Sequence, residues 1–312
     1  MAATGSSVGE VIDNTLDLLL GASRESLNMV YNPIGVTDTT ISITYNPTTI
    51  QPNTYIEIDE ELMYVWASEF GSPSSTVTVQ RGMRSTVATT HEAGALIRVD
   101  PYFPKYQVQK ALQAEIGSWG PQVYAVATID IPLTDYVGGY DLGILGDYYR
   151  IMDVRESPDL ELGYVSDNMW PRVKWEELKN APFSQFPSGN ALFIIDPLGV
   201  WDSPQNSPRT VHVIYAKPFD WARPWSLTTD LISDVGIDAN ELDIPPYGAA
   251  WRLLQGREAR RTLVEAWGQS ADLKEEPPMY ASQAAQAFKA IRDGRLADAM
   301  QRLNVKFGVR GK

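Results

Sequence analysis

The chain has 312 residues, 44% of them hydrophobic, with nine Trp and fifteen Tyr, so it holds enough apolar material for two or three domains and disorder is not the default expectation. Cysteine is absent, which excludes disulfides and thiolate metal sites, and the net charge of -13 argues against non-specific duplex binding, which needs clustered Lys and Arg. No apolar run nears the roughly 20 residues of a membrane-spanning helix, and the opening Met1–Ser7 has neither the basic nor the apolar region of a secretory signal.

In chain order, the first predicted helix runs from Val8 to Leu20. Ser7 and Glu10 have capping-box spacing, Gly21 is a stop, and Val8, Ile12 and Leu16 share a face. Alternating runs then predict half-buried antiparallel strands at Ile41–Tyr45, Tyr55–Val65, Thr76–Gly82 and His91–Val99, joined by Asn, Pro, Gly and Ser. A helix follows from Pro104 to about Trp119, with Val108, Leu112, Ile116 and Trp119 on its buried side.

Strand patterns return at Val123–Ile131, Tyr148–Val154, Ala191–Ile195 and Thr210–Ala216. The aromatic stretch Trp170–Glu177 reads as either a strand or a short helix. Tyr136–Gly143 and Ser203–Pro208 read as exposed loops. A short helix can start at Thr228, and helical spacing then covers Tyr247–Gly268 and Ala281–Leu303, with Gly294 as a possible break. Asn304–Lys312 has no helical stripe and reads as an extended basic tail.

The expected fold class is α+β: a helical bundle with an inserted small antiparallel β-module and a second, β-sandwich-like domain. The expected division is 1–30, an N-terminal bundle helix; 31–100, the inserted module; 101–120, a bundle helix; 121–226, the sandwich-like domain; 227–303, the C-terminal part of the bundle; and 304–312, the tail.

Charge is unevenly spread along the chain. From Trp251 onward there are 12 Lys and Arg against 7 Asp and Glu, leaving 14 against 32 in the first 250 residues. Arg292, Arg295 and Arg302 are expected to form a basic helix face, continued by Lys306, Arg310 and Lys312 in the tail.

Catalytic constellations are largely missing, and no enzyme activity, cofactor or metal is expected. The two histidines, His91 and His212, read as a turn-ordering and a strand side chain. The sequence lacks a phosphate-cradling loop and a Gly-x-Ser-x-Gly elbow. The adjacent carboxylates Glu60 and Glu61 point to opposite faces if they lie in a strand, which does not suit a glycosidase pair. Trp201, Trp221 and Trp225, together with Tyr136, Tyr140, Tyr148 and Tyr149, are candidates for stacking on sugar rings, weighed against ordinary burial in cores and contacts.

The order strand, acidic turn, Glu61-x-Met63-x-Val65, strand, Arg81-Gly82, Thr86, His91, Gly94-Ala95-x-Ile97 resembles a β-module of tailed-bacteriophage structural proteins. The match spans about a fifth of the chain. The whole arrangement resembles a head-to-tail adaptor, also called a connector.

That resemblance implies a virion structural protein at the head–tail junction, assembled in the host cytoplasm. Its copies would form a homo-oligomeric ring, twelve-fold in that family, that binds the portal protein and downstream tail, nozzle or fibre proteins. DNA would pass through the channel without specific binding, and no membrane would be involved. Asn304, Val305, Lys306, Phe307, Val309, Arg310 and Lys312 would be the portal-docking tail. The alternative is a receptor- or glycan-binding virion protein associated with the tail or fibres.

Overall fold

The computed structural model describes residues 5–21, 25–45, 50–71, 74–133, 139–156, 172–195, 210–266 and 280–307. Two compact units divide the chain. The first takes Met1–Ile116, Trp221–Asp234 and Ala239–Arg295; the second takes Gly117–Asp220, Val235–Asp238 and Leu296–Lys312.

In the first unit, helix α1 covers Val8–Leu20, and the expected capping box is present at Ser7 and Glu10. Six short strands follow: β1 (Ser26–Met29), β2 (Thr40–Ile43), β3 (Tyr55–Ile58), β4 (Glu61–Glu69), β5 (Ser75–Gln80) and β6 (Leu96–Val99). They form one antiparallel sheet in the order β1-β6-β3-β4-β5-β2. Its two outer strands meet where Val30 bridges Ile43, with Tyr31 N–H donating to Ser42 O at 2.8 Å and Thr44 N–H to Met29 O at 2.9 Å. The sheet therefore curls into a half-barrel, which leaves few unpaired edge groups.

Alternation sends Ile41, Ile43, Ile56, Ile58, Met63, Val65, Val77, Val79 and Ile97 into one aliphatic core. Helix α2 (Lys105–Gly117) buries Val108, Leu112 and Ile116. Helices α3 (Ile244–Ala266) and α4 (Tyr280–Phe307) follow the second unit's strands in sequence, and α1 packs against α3.

The second unit's strands are β7 (Ala125–Pro132), β8 (Gly139–Asp141), β9 (Arg150–Glu156), β10 (Lys174–Lys179), β11 (Asn190–Ile195) and β12 (Thr210–Lys217). They make two antiparallel three-stranded sheets, β7-β12-β9 and β10-β11-β8. A bridge from Arg155 to Arg172 joins the sheets beside β9, and both contribute to one core through Ile131, Ile151, Val154, Leu192, Val211 and Val213.

The expected fold class is corrected by these sheets. Helix and strand are nearly balanced, at 35% and 31%, and antiparallel sheets dominate, so this is not a helical bundle carrying a small module. Two local causes misled the sequence reading. Residues Ser26–Met29, expected to close a helical segment, pair with Leu96–Val99 as β1. The run Tyr55–Val65, expected as one strand, is a hairpin, because Asp59 adopts φ 53° between β3 and β4.

Smaller departures follow the same logic. Part of the expected Tyr136–Gly143 loop is β8, and Trp170–Glu177 overlaps β10, a strand. Gly294 does not break α4, and Asn304–Phe307 are its last turn rather than an extended segment. Once a long helix is propagating, one interior Gly costs only about 1 kcal/mol, too little to stop it. Ser203–Pro208 lies outside the described residues.

Replacing the fully buried Ile56 by Ala removes apolar atoms from the half-barrel core. It is expected to lower the unfolding free energy by about 2–5 kcal/mol, measured by urea titration of tryptophan fluorescence.

Candidate interaction surfaces

Three buried ion-pair networks set the framework of the first unit. The first grows from the β3–β4 turn. Glu61 opens β4 with its side chain fully buried. Arg81, just after β5, grips it with Nε on Oε1 and Nη2 on Oε2, both at 2.6 Å. Backbone N–H groups of Gly82 and Thr89 donate to the same carboxylate at 3.0 and 3.1 Å, and His91 Nε2 lies 3.0 Å from Oε2.

The other imidazole nitrogen of His91 is 2.7 Å from Asp59 Oδ2. Arg81 also donates to the carbonyls of Gly35 and Asp38 at 2.8 and 3.0 Å, and to that of Thr89. Burial alone would raise the Glu61 pKa. Hydrogen bonds from Arg81, then His91, Thr89 and Gly82, outweigh it and bring the carboxyl down to about 2. Burial likewise opposes charge on His91, but its bonds to Asp59 and Glu61 hold the imidazole above its ordinary range. An imidazolium donating from both nitrogens fits this site.

The second network lies on the outward side of β3 and β6. Glu57 and Arg98 are register partners, and Arg98 Nη1 donates to Glu57. Arg98 also holds Glu25 through Nε and Nη2 at 2.7 and 2.9 Å. Lys105 N–H, at the start of α2, donates to Glu57 Oε1 at 2.6 Å. Burial pushes Glu57 up to about 7 despite Arg98 and that N–H.

In the third network, the fully buried Glu115 of α2 receives Arg252 Nε of α3 at 2.7 Å and Arg292 Nε of α4 at 2.6 Å. Gly248 makes room for it: a Cβ there would lie 2.2 Å from the Glu115 carboxyl carbon.

These contacts redistribute the expected basic face. Arg292 is bound within the chain to Glu115 and Asp293. Arg295 is half-exposed, its Nε 3.3 Å from Asp243 Oδ2. Arg302 is exposed. On the last turn of α4, Asn304, Val305 and Lys306 are exposed, Val305 by 82%, and Lys306 Nζ lies 5.1 Å from the Phe307 ring centroid. Val309, Arg310 and Lys312 lie outside the described residues.

The described aromatic candidates are divided between the two units. Trp201 and Tyr136 lie outside the described residues, and Trp225 is buried. Trp221 is in the first unit, whereas Tyr140 and Tyr148 pack on the second unit's core and Tyr148 Oη donates to Glu177 at 3.0 Å. His212 faces Asp130 across a β12–β7 register pair, with Nδ1 2.7 Å from Oδ1.

What the sequence reading passed over is Trp66, 59% exposed on β4, beside Tyr64. The signal was available: if Met63 and Val65 point inward, Tyr64 and Trp66 point outward.

Among the described residues no group of three or more His, Asp or Glu is placed to hold a metal ion. None of their helices is long and apolar enough to cross a membrane. No protein-family model matches the chain, and no curated protein matches it either.

Cutting Glu61 to Ala strands Arg81 and His91 without their buried counter-charge and is expected to cost about 3–5 kcal/mol. The pH dependence has a definite sign. The stabilisation from Glu61 is complete above its unfolded value near 4.5 and is lost as pH falls through about 2. That from His91 is complete below about 6.5 and is lost as pH rises through its raised native value. Urea midpoints measured across pH should show the acid-side loss in the wild type and a flatter profile in Glu61→Gln.

Proposed function

We propose that this chain is a virion structural protein of tailed bacteriophages: a head-to-tail adaptor whose copies form a ring joining the portal to the tail around the DNA channel. Three things support this reading. The quoted residues from Glu61 to Ile97 resemble the phage β-module. The charge is divided between an acidic body and a basic C-terminal part. The end of α4 presents apolar and cationic side chains together.

The last observation carries most weight. Val305 stands 82% exposed beside Lys306, and Ile291 and Met300 are also well exposed along α4. Apolar side chains in water gain about 25 cal/mol per Å² when covered, and the neighbouring cation selects an acidic site. Because Asn304–Phe307 are helical, docking would lay a helix end in a groove on the portal rather than add an extended strand. Repetition around a ring multiplies each weak contact. Acidic walls repel DNA phosphates, which suits a channel that DNA threads without sticking.

A receptor- or glycan-binding appendage is the second reading, favoured by the exposed Trp66 and Phe70. Symmetry separates the two, since appendages of that kind are commonly trimers and adaptors are large rings.

Deleting Asn304–Lys312 is expected to leave the circular dichroism spectrum near wild type while abolishing co-sedimentation with portal rings from the same virion. Undiminished co-sedimentation, or a trimer in native mass spectrometry of the intact chain, would count against the adaptor.

A further inference from the structure

One surface of the first unit is built for contact and is not explained by portal docking. Trp66 sits where the β4–β5 register slips between Val65 and Ala67, a bulge that leaves it without a register partner on β5. Its ring meets Tyr64 edge-on, 5.0 Å between centroids at 83°, and Tyr64 meets Tyr55 at 5.5 Å and 66°. The Tyr64 hydroxyl donates to Asn53 Oδ1 at 2.6 Å, fixing the middle ring.

At the far end, Arg84 lies with its guanidinium carbon 5.4 Å from the Tyr55 centroid, and Tyr106 and then Tyr55 favour its charged form. Lys110 Nζ is 5.5 Å from the Tyr106 centroid. Arg84 is held there by a left-handed turn: Gly82, Arg84 and Ser85 have φ of 65°, 53° and 68°.

We propose that this strip, Trp66–Tyr64–Tyr55–Arg84–Tyr106–Lys110, is the face by which one copy of the chain grips the acidic surface of the next. The inference rests on the ring reading above and assigns its subunit contact. Trp, Tyr and Arg are the residue types that dominate interface energetics, and here the rings are already packed edge to face, so little side-chain freedom is lost on docking.

Charge selects the occupant. Arg84 and Lys110 are both exposed cations. A neutral glycan would leave them without counter-charge, and a nucleic-acid phosphate would meet a chain of net charge -13. A second copy brings 32 acidic against 14 basic side chains in its first 250 residues. Laid against itself about a two-fold axis, the strip would set its cations against aromatic rings and give neither cation an acidic partner. Laid against an acidic face it makes a head-to-tail contact, the kind that closes into a ring.

The test is native mass spectrometry and sedimentation of the full chain, wild type beside Trp66→Ala and Arg84→Glu, with circular dichroism to verify folding. Both positions are exposed, so both variants are expected to fold. Each should raise the concentration for half-assembly by at least about tenfold, and wild-type rings should weaken as NaCl is raised to about 0.5 M. Wild-type rings with folded variants assembling unchanged would overturn the strip as subunit contact and leave the adaptor standing; it would then be open to a glycan. A wild type that stays monomeric or trimeric overturns the adaptor reading and this inference together.

Discussion

A single carboxylate, Glu61, fixes the geometry of the first unit. It is buried without solvent contact, yet it takes two bonds from Arg81, one each from the Gly82 and Thr89 amides, and one from His91. Through Arg81 and His91 the same cluster reaches Gly35, Asp38 and Asp59, so one network ties together four loops distant in sequence. A buried charge of this kind stabilises little compared with an apolar replacement of equal volume. What it supplies is register: a slipped strand would leave Glu61, Arg81 or His91 unpaired in the interior, where each is costly.

The same logic recurs on the outside of the sheet and in the helices. Glu57 joins the half-barrel to the start of α2 through Lys105 N–H, and Arg98 draws in Glu25 beside β1. Glu115 then joins α2 to α3 and α4 through Arg252 and Arg292. Helices and sheet in this unit are thus linked by buried carboxylates that each collect several donors. A unit positioned this firmly is suited to presenting a surface. Both the Trp66–Lys110 strip and the start of α4 belong to it.

In the adaptor reading, the two surfaces divide the work. The exposed end of α4 would meet a different protein, and the aromatic and cationic strip would meet a neighbour of the same kind. Each is a small patch, and each gains from being repeated around a ring. The acidic excess of the first 250 residues would serve this reading twice, as the complement of the strip and as a channel wall repulsive to DNA.

Much of this was readable in the chain. Ser7 with Glu10 marked the start of α1, and the alternation of Ile41, Ile43, Ile56, Ile58, Met63 and Val65 marked the core face of the strands, because a period of two leaves only one way to bury them. The same alternation placed Tyr64 and Trp66 outside. The sequence did not reveal that Ser26–Met29 is a strand, since four residues without alternation become one only when Leu96–Val99 lies beside them. Nor did it distinguish Arg292, bound to Glu115 177 positions away, from Arg302 on the exposed side of the same helix. Local pattern determined which side chains are buried and where most elements run, because solvent exclusion acts on every residue by its own polarity. Only tertiary structure decided that the strands close into a half-barrel and which charges are consumed inside it, because those pairings depend on partners that the chain brings together from far apart.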